Sequence, residues 1–116
     1  MINKAFFDAI GFIESSNNPK AIGDNGKSIG IYQIRASYFK DAQEFNPKLR
    51  KYSHKDCFNP EIAREVVKAY MRRYCKNGSN EDMARCHNSG PGWKKKFHLT
   101  NKYIRKFRAA LNKSVK

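Results

Sequence analysis

The sequence predicts an α+β domain, mainly α, in which about five helices surround a small β-hairpin. Apolar residues recur at helical spacing in several segments separated by turn signals, whereas Lys20 to Ile34 breaks into short extended pieces around Asp24-Asn25-Gly26. Forty per cent apolar content, with eight Phe, six Tyr and one Trp, supplies a core for 116 residues and argues against disorder, although 29 per cent of the chain is charged. A chain of this length fits one domain, 1–116, that buries roughly two-thirds of the surface its unfolded form exposes.

Taken in order, Asn3 to Ser15 sets Ala5, Phe6, Ala9, Ile10, Phe12 and Ile13 on a helical face and stops before Asn17-Asn18-Pro19. Asp24-Asn25-Gly26 then predicts the hairpin turn, because Asn and Gly tolerate positive φ. Ser37 to Phe45 predicts a short helix carrying Tyr38, Phe39, Ala42 and Phe45, followed by an irregular basic loop through Lys55. The next helix has the clearest signals: Asn59 as cap, Pro60 at the first position, Glu61 and Glu65 near its start, and Arg72, Arg73 and Lys76 near its end before Gly78. Its stripe of Ile62, Ala63, Val66, Val67, Tyr70, Met71 and Tyr74 reads as core. Ser79 and Asp82 form a capping-box pattern for a helix to about His87. After the loop "NSGPGWKKKFHLT", a basic helix from about Asn101 to Leu111 buries Tyr103, Ile104, Phe107 and Leu111.

The formal net charge is +14, and no acid follows Asp82, while Arg85, Lys94, Lys95, Lys96, Lys102, Arg105, Lys106, Arg108, Lys113 and Lys116 do. A cationic C-terminal third attracts polyanions, and charge alone does not choose among nucleic acid, anionic lipid and the acidic polymers of a bacterial wall. No segment approaches the ~18 uninterrupted apolar residues of a membrane span. The start of the chain shows no signal-peptide pattern, and Cys57, Cys75 and Cys86 are odd in number, which favours free thiols over a disulfide framework. His54-x-x-Cys57 and Cys86-His87 match no common zinc spacing, so neither a metal nor another cofactor is assigned.

The chemistry is carried by two carboxylates. Glu14 falls in the last turn of the first helix, where unpaired carbonyls and the neighbouring Ile10, Phe12 and Ile13 disfavour a negative charge. Asp24, ten positions on, sits at a polar turn where water and amide donors keep it ionised. Carboxyl groups in opposite protonation states are what glycoside hydrolysis requires: one protonates the leaving oxygen and the other stabilises or attacks the oxocarbenium ion. On pattern alone, a solvated helix-end Glu and a turn-forming Asp remain the commoner explanation.

Beyond this pattern, "ESSNNPKAIGDNGKSIGIYQIRASYFKDA", "VVKAYMRRY", "MARCHNSGPGW" and "TNKYIRKF" follow one another in an order that resembles the invertebrate-type lysozymes, or destabilase family, over roughly Ile13 to Phe107. The Glu-Ser start and the Gly-x-x-Gln-Ile segment are more loosely similar to lytic transglycosylases. The resemblance implies a lysozyme-like fold with the hairpin lining the cleft, Glu14 as catalytic acid and Asp24 as nucleophile or stabiliser. It carries the family's cleft strand onto Ser28 to Ile34, with Ser28, Gly30, Tyr32 and Gln33 as substrate-binding positions. It also carries the family's His-Asn-Gly-Gly-Pro motif onto His87, Asn88, Ser89, Gly90 and Pro91, in a loop. Ser89 stands where the motif has glycine, and three cysteines cannot supply the family's disulfides. Asp41 matches a structural aspartate, and His87 divides evenly between binding substrate and packing.

The expected function is therefore cleavage of the β-1,4 bond between N-acetylmuramic acid and N-acetylglucosamine in bacterial peptidoglycan, with the basic third holding anionic wall polymers. Three rival expectations are a transglycosylase using Glu14 alone, a basic nucleic-acid-binding domain, and a silent wall or chitin binder. Nucleic acid is not expected as a specific partner, because that reading ignores Glu14, Asp24 and Gln33. No nucleophile arrangement points to the isopeptidase activity known in the family. Few cysteines and no signal pattern suggest cytoplasmic synthesis and later release, as for a phage or viral lysis enzyme.

Overall fold

The computed structural model describes residues 3–114; Met1, Ile2, Val115 and Lys116, the last of these counted in the basic third, lie outside the described residues. Among the described residues, five α-helices and a three-stranded antiparallel sheet make up the fold, with four 3-10 turns between them. Helix α1 (Lys4–Ser15) starts where the Asn3 side chain accepts a hydrogen bond from the Phe6 amide, 2.9 Å away. It ends as Ser16 and Asn17 enter the left-handed region (φ 56° and 61°), so that their amides return to the Phe12 and Gly11 carbonyls.

The sheet is formed by β1 (Ile22–Gly23), β2 (Ser28–Ile29) and β3 (Ile34–Arg35), in that order. The expected single strand from Ser28 to Ile34 is instead two short strands joined by a turn, in which the Gln33 amide donates to the Gly30 carbonyl at 3.1 Å. Gly30 has φ +80°, and a Cβ there would lie 2.3 Å from the Cys57 carbonyl oxygen, so only glycine lets the turn rest on the 3-10 segment His54–Phe58. The register pairs Ser28 with both Gly23 and Arg35, which brings the start of the Asp24 turn, a hydroxyl and a guanidinium to one edge.

Helix α2 (Ala36–Phe45) packs on α3 (Pro60–Tyr74), and the expected loop between them contains two 3-10 turns, Pro47–Lys51 and His54–Phe58. Asn59 caps α3 by accepting from the Glu61 amide at 2.9 Å, with Pro60 at the first position as expected. Helix α4 (Asn80–Ser89) has the capping box of Ser79 and Asp82, and it continues past His87 to stop at Gly90 (φ +86°). His87, Asn88 and Ser89 therefore occupy the last helical turn rather than a loop.

Helix α5 (Phe97–Ser114) starts four residues earlier than the apolar spacing predicts. Arg85, buried rather than part of the basic surface, donates to the Phe97 carbonyl, Thr100 Oγ1 and Asn101 Oδ1 at 2.7–3.1 Å and lies 4.1 Å from the Phe97 ring centroid. These contacts fix the first turn of α5 against α4. The core lies where α5 meets α1 and α4, with Phe6, Ile10, Ile104 and Phe107 fully enclosed. All three cysteines are unbonded and buried in it; burial pushes the Cys57 and Cys86 thiols up to about 12. No helix among the described residues is long and apolar enough to cross a membrane.

Because Gly30 combines a left-handed φ with a backbone contact, Gly30→Ala is expected to destabilise the fold by about 2–4 kcal/mol. Urea unfolding of the two proteins measures this, and a change below about 0.5 kcal/mol would contradict the role assigned to the glycine.

Candidate active site

A cleft of about 620 Å3 opens between the sheet edge and the ends of α1 and α4. Glu14, Asp24, Ser28, Gln33, His87, Asn88 and Ser89 all line it, which brings together seven of the nine expected site residues. Gly30 and Tyr32 do not line it: Gly30 rests on the Cys57 backbone, and Tyr32, 2% exposed, packs its ring 5.4 Å from Phe7 in the core. The turn at Gly30–Gln33 breaks the two-residue alternation of a strand, so Tyr32 points inward instead of into the cleft.

Glu14 comes from the last turn of α1, and its side chain is 21% exposed. At this helix end the Phe12 carbonyl is taken by the Ser16 amide and the Gly11 carbonyl by the Asn17 amide. Contacts made across the fold add to this setting. The Tyr103 hydroxyl on α5 donates to Glu14 Oε2 at 2.8 Å, and His87 Nε2 on α4 stands 3.6 Å from the same oxygen. Ser15 Oγ, next in sequence, donates to the Ile31 carbonyl at 2.7 Å and ties this helix end to the turn between β2 and β3.

His87 packs rather than faces the cleft freely. Its Nε2 is 2.9 Å from the Tyr32 carbonyl, which can only accept, so Nε2 carries a proton; Nδ1 meets the Tyr38 hydroxyl at 2.8 Å. Burial holds the Tyr38 and Tyr103 phenols well above their ordinary range, and for Tyr103 the adjacent Glu14 carboxylate adds to this. Both therefore act as neutral hydroxyl groups.

Asp24 occupies a turn with three successive left-handed residues, Asp24, Asn25 and Gly26 (φ 50°, 57° and 91°), the conformation that Asp, Asn and Gly tolerate best. Its Oδ2 accepts from the buried Ser28 hydroxyl, and Arg35 lies 3.1 Å from the same oxygen. The Ser28 hydrogen bond, followed by Arg35, holds this carboxyl below the usual carboxylate range. It is ionised throughout the neutral and mildly acidic range. Gln33, at φ 54°, donates its side-chain amide to the Ala21 and Gly30 carbonyls at 3.3 and 3.0 Å, so it braces the sheet while lining the cleft.

Sequence reasoning missed Arg35, Tyr38 and Asp41 in the cleft wall, and Tyr103 behind Glu14. Asp41, expected to be structural, lines the cleft as well. The spacing of Tyr103 from Ile104 and Phe107 signalled a buried face but not a hydroxyl aimed at a carboxylate 89 positions away.

A mainly helical domain with a small antiparallel sheet, and acids gathered in a cleft between sheet and helices, is of the lysozyme-like kind. Residues 4–110 match the Destabilase family, and the chain belongs to it: this is the family of the invertebrate-type lysozymes. No curated protein matches the chain.

Since the Ser28 hydrogen bond is the largest influence on Asp24, Ser28→Ala is expected to move the Asp24 titration midpoint upward, so the anion is lost at a higher pH as the solution is acidified. Carbon-13 NMR of the Asp24 carboxyl follows this directly, and an unchanged midpoint would assign the depression to another group.

Proposed function

We propose that this domain hydrolyses bacterial peptidoglycan at the β-1,4 bond between N-acetylmuramic acid and N-acetylglucosamine. The observation that carries the reading is that Glu14 and Asp24 line one cleft, with Asp24 kept ionised by Ser28 and Arg35. Glu14 protonates the leaving glycosidic oxygen, its carboxyl held from behind by Tyr103. Asp24, from the turn next to the sheet, stabilises or attacks the developing oxocarbenium ion. Gln33, Asn88 and Ser89 offer polar groups to the sugar from the cleft wall.

A second reading is favoured by the Arg35 contact, which offsets part of the Asp24 charge. In it, Glu14 alone serves as acid and then base, and the product is an anhydro-sugar. Turbidity clearing of wall suspensions tests both. Glu14→Gln is expected to lower the rate by about 10²- to 10⁴-fold, and clearing at the wild-type rate would end the proposal. Asp24→Asn is expected to lose roughly two orders of magnitude if the carboxylates act as a pair; near-normal turnover with anhydro-muropeptides in the mass spectrum would select the single-acid route.

The basic C-terminal third holds the enzyme on anionic wall polymers in this account, now without Arg85, which is buried. Contacts between exposed charges weaken once the Debye length falls to ~10 Å near 0.1 M salt. Lysis is accordingly expected to slow steeply between low and moderate ionic strength, and salt-independent clearing would remove that role from the basic surface.

A further inference from the structure

Helix α3 carries a second cavity, of about 340 Å3, that the cleft does not use. Tyr70 lines the cleft, but Lys68 and Arg72 are each two positions away, roughly 200° around the helix, and with Lys76 just beyond its end they edge this other cavity. Its floor is apolar and adaptable: Met71, Cys75 and Met83 are all buried. Burial pushes the Cys75 thiol up to about 11, so the floor carries no charge near neutral pH.

The rim is positive and incompletely neutralised. No acid lines the cavity. Glu65 reaches Lys68 at 3.6 Å, and Asp82, whose charge acts on the Cys75 thiol, accepts from the Ser79 amide in the α4 capping box. Among the described residues, neither Arg72 nor Lys76 forms an ion pair with a carboxylate.

An inorganic anion would use the rim and leave the floor wet, and a neutral alkane would use the floor and leave the cations unanswered. We propose that this cavity binds a single-chain anionic amphiphile, with its alkyl chain on Met71, Cys75 and Met83 and its phosphate or carboxylate head held by Lys68, Arg72 and Lys76. The volume lies at the lower end of the ~300–1,000 Å3 typical of small-molecule sites, which suits one chain better than two. This site is independent of the cleft and of the reaction proposed there.

The chain has three methionines, Met1, Met71 and Met83, so methyl-carbon-13 methionine labelling reports on the cavity floor with few signals. Titration with decyl phosphate below its micelle concentration is expected to shift the Met71 and Met83 methyl resonances saturably. Arg72→Gln combined with Lys76→Gln, both at exposed positions, is expected to weaken this binding at least tenfold while wall lysis at fixed salt is retained. Vesicles of neutral lipid with anionic phosphatidylglycerol separate the sources: shifts with vesicles as well indicate a membrane lipid, and shifts with decyl phosphate alone indicate a free amphiphile. The proposal is overturned if neither methyl responds, if decanol binds as tightly as decyl phosphate, or if the double variant binds like the wild type.

Discussion

The hydrogen bond from Tyr103 to Glu14 joins residues 89 positions apart, and the geometry of the cleft depends on it. It can form only if α5 packs along α1, which the enclosed Phe6 and Phe107 enforce with ring centroids 6.0 Å apart. Core packing thereby sets the position of a polar group at the cleft surface.

A second connection runs through His87, which bridges the Tyr32 carbonyl and the Tyr38 hydroxyl and so links α4, the sheet turn and α2. Tyr38 in turn stacks on Tyr70 of α3 at 3.7 Å. Such a chain of buried polar groups stabilises only when each member has a partner, because an unmatched donor or acceptor costs about 1–3 kcal/mol. Among the described residues no buried side-chain nitrogen or oxygen lacks one. The Glu14 carboxylate, which lines the cleft, is therefore backed by groups whose buried polar atoms are already matched, the kind of preorganisation that the proposed chemistry calls for.

Much of this was legible in the chain because it is local chemistry. Asn59-Pro60, Ser79 with Asp82, and Asp24-Asn25-Gly26 specify a cap, a capping box and a left-handed turn whatever surrounds them. The inward direction of Tyr32 was not legible, since it follows from positive φ at Gly30 and Gln33, and Gln33 is an uncommon residue there. The early start of α5 depends on Arg85, a charge that composition assigns to the surface and that folding buries beneath Phe97 and Thr100. Tyr103 and Arg35 act on Glu14 and Asp24 through contacts across the fold, and periodicity records which face of an element is apolar but not which polar tip meets which acid.

The most direct measurement is a crystal structure of the Glu14→Gln protein bound to a peptidoglycan tetrasaccharide. The account predicts a glycosidic oxygen within hydrogen-bonding distance of residue 14, the Tyr103 hydroxyl still behind that side chain, and Asp24 beside the anomeric carbon of the same sugar. A saccharide seated elsewhere, or one that meets residue 14 with Asp24 remote from the ring, would contradict it.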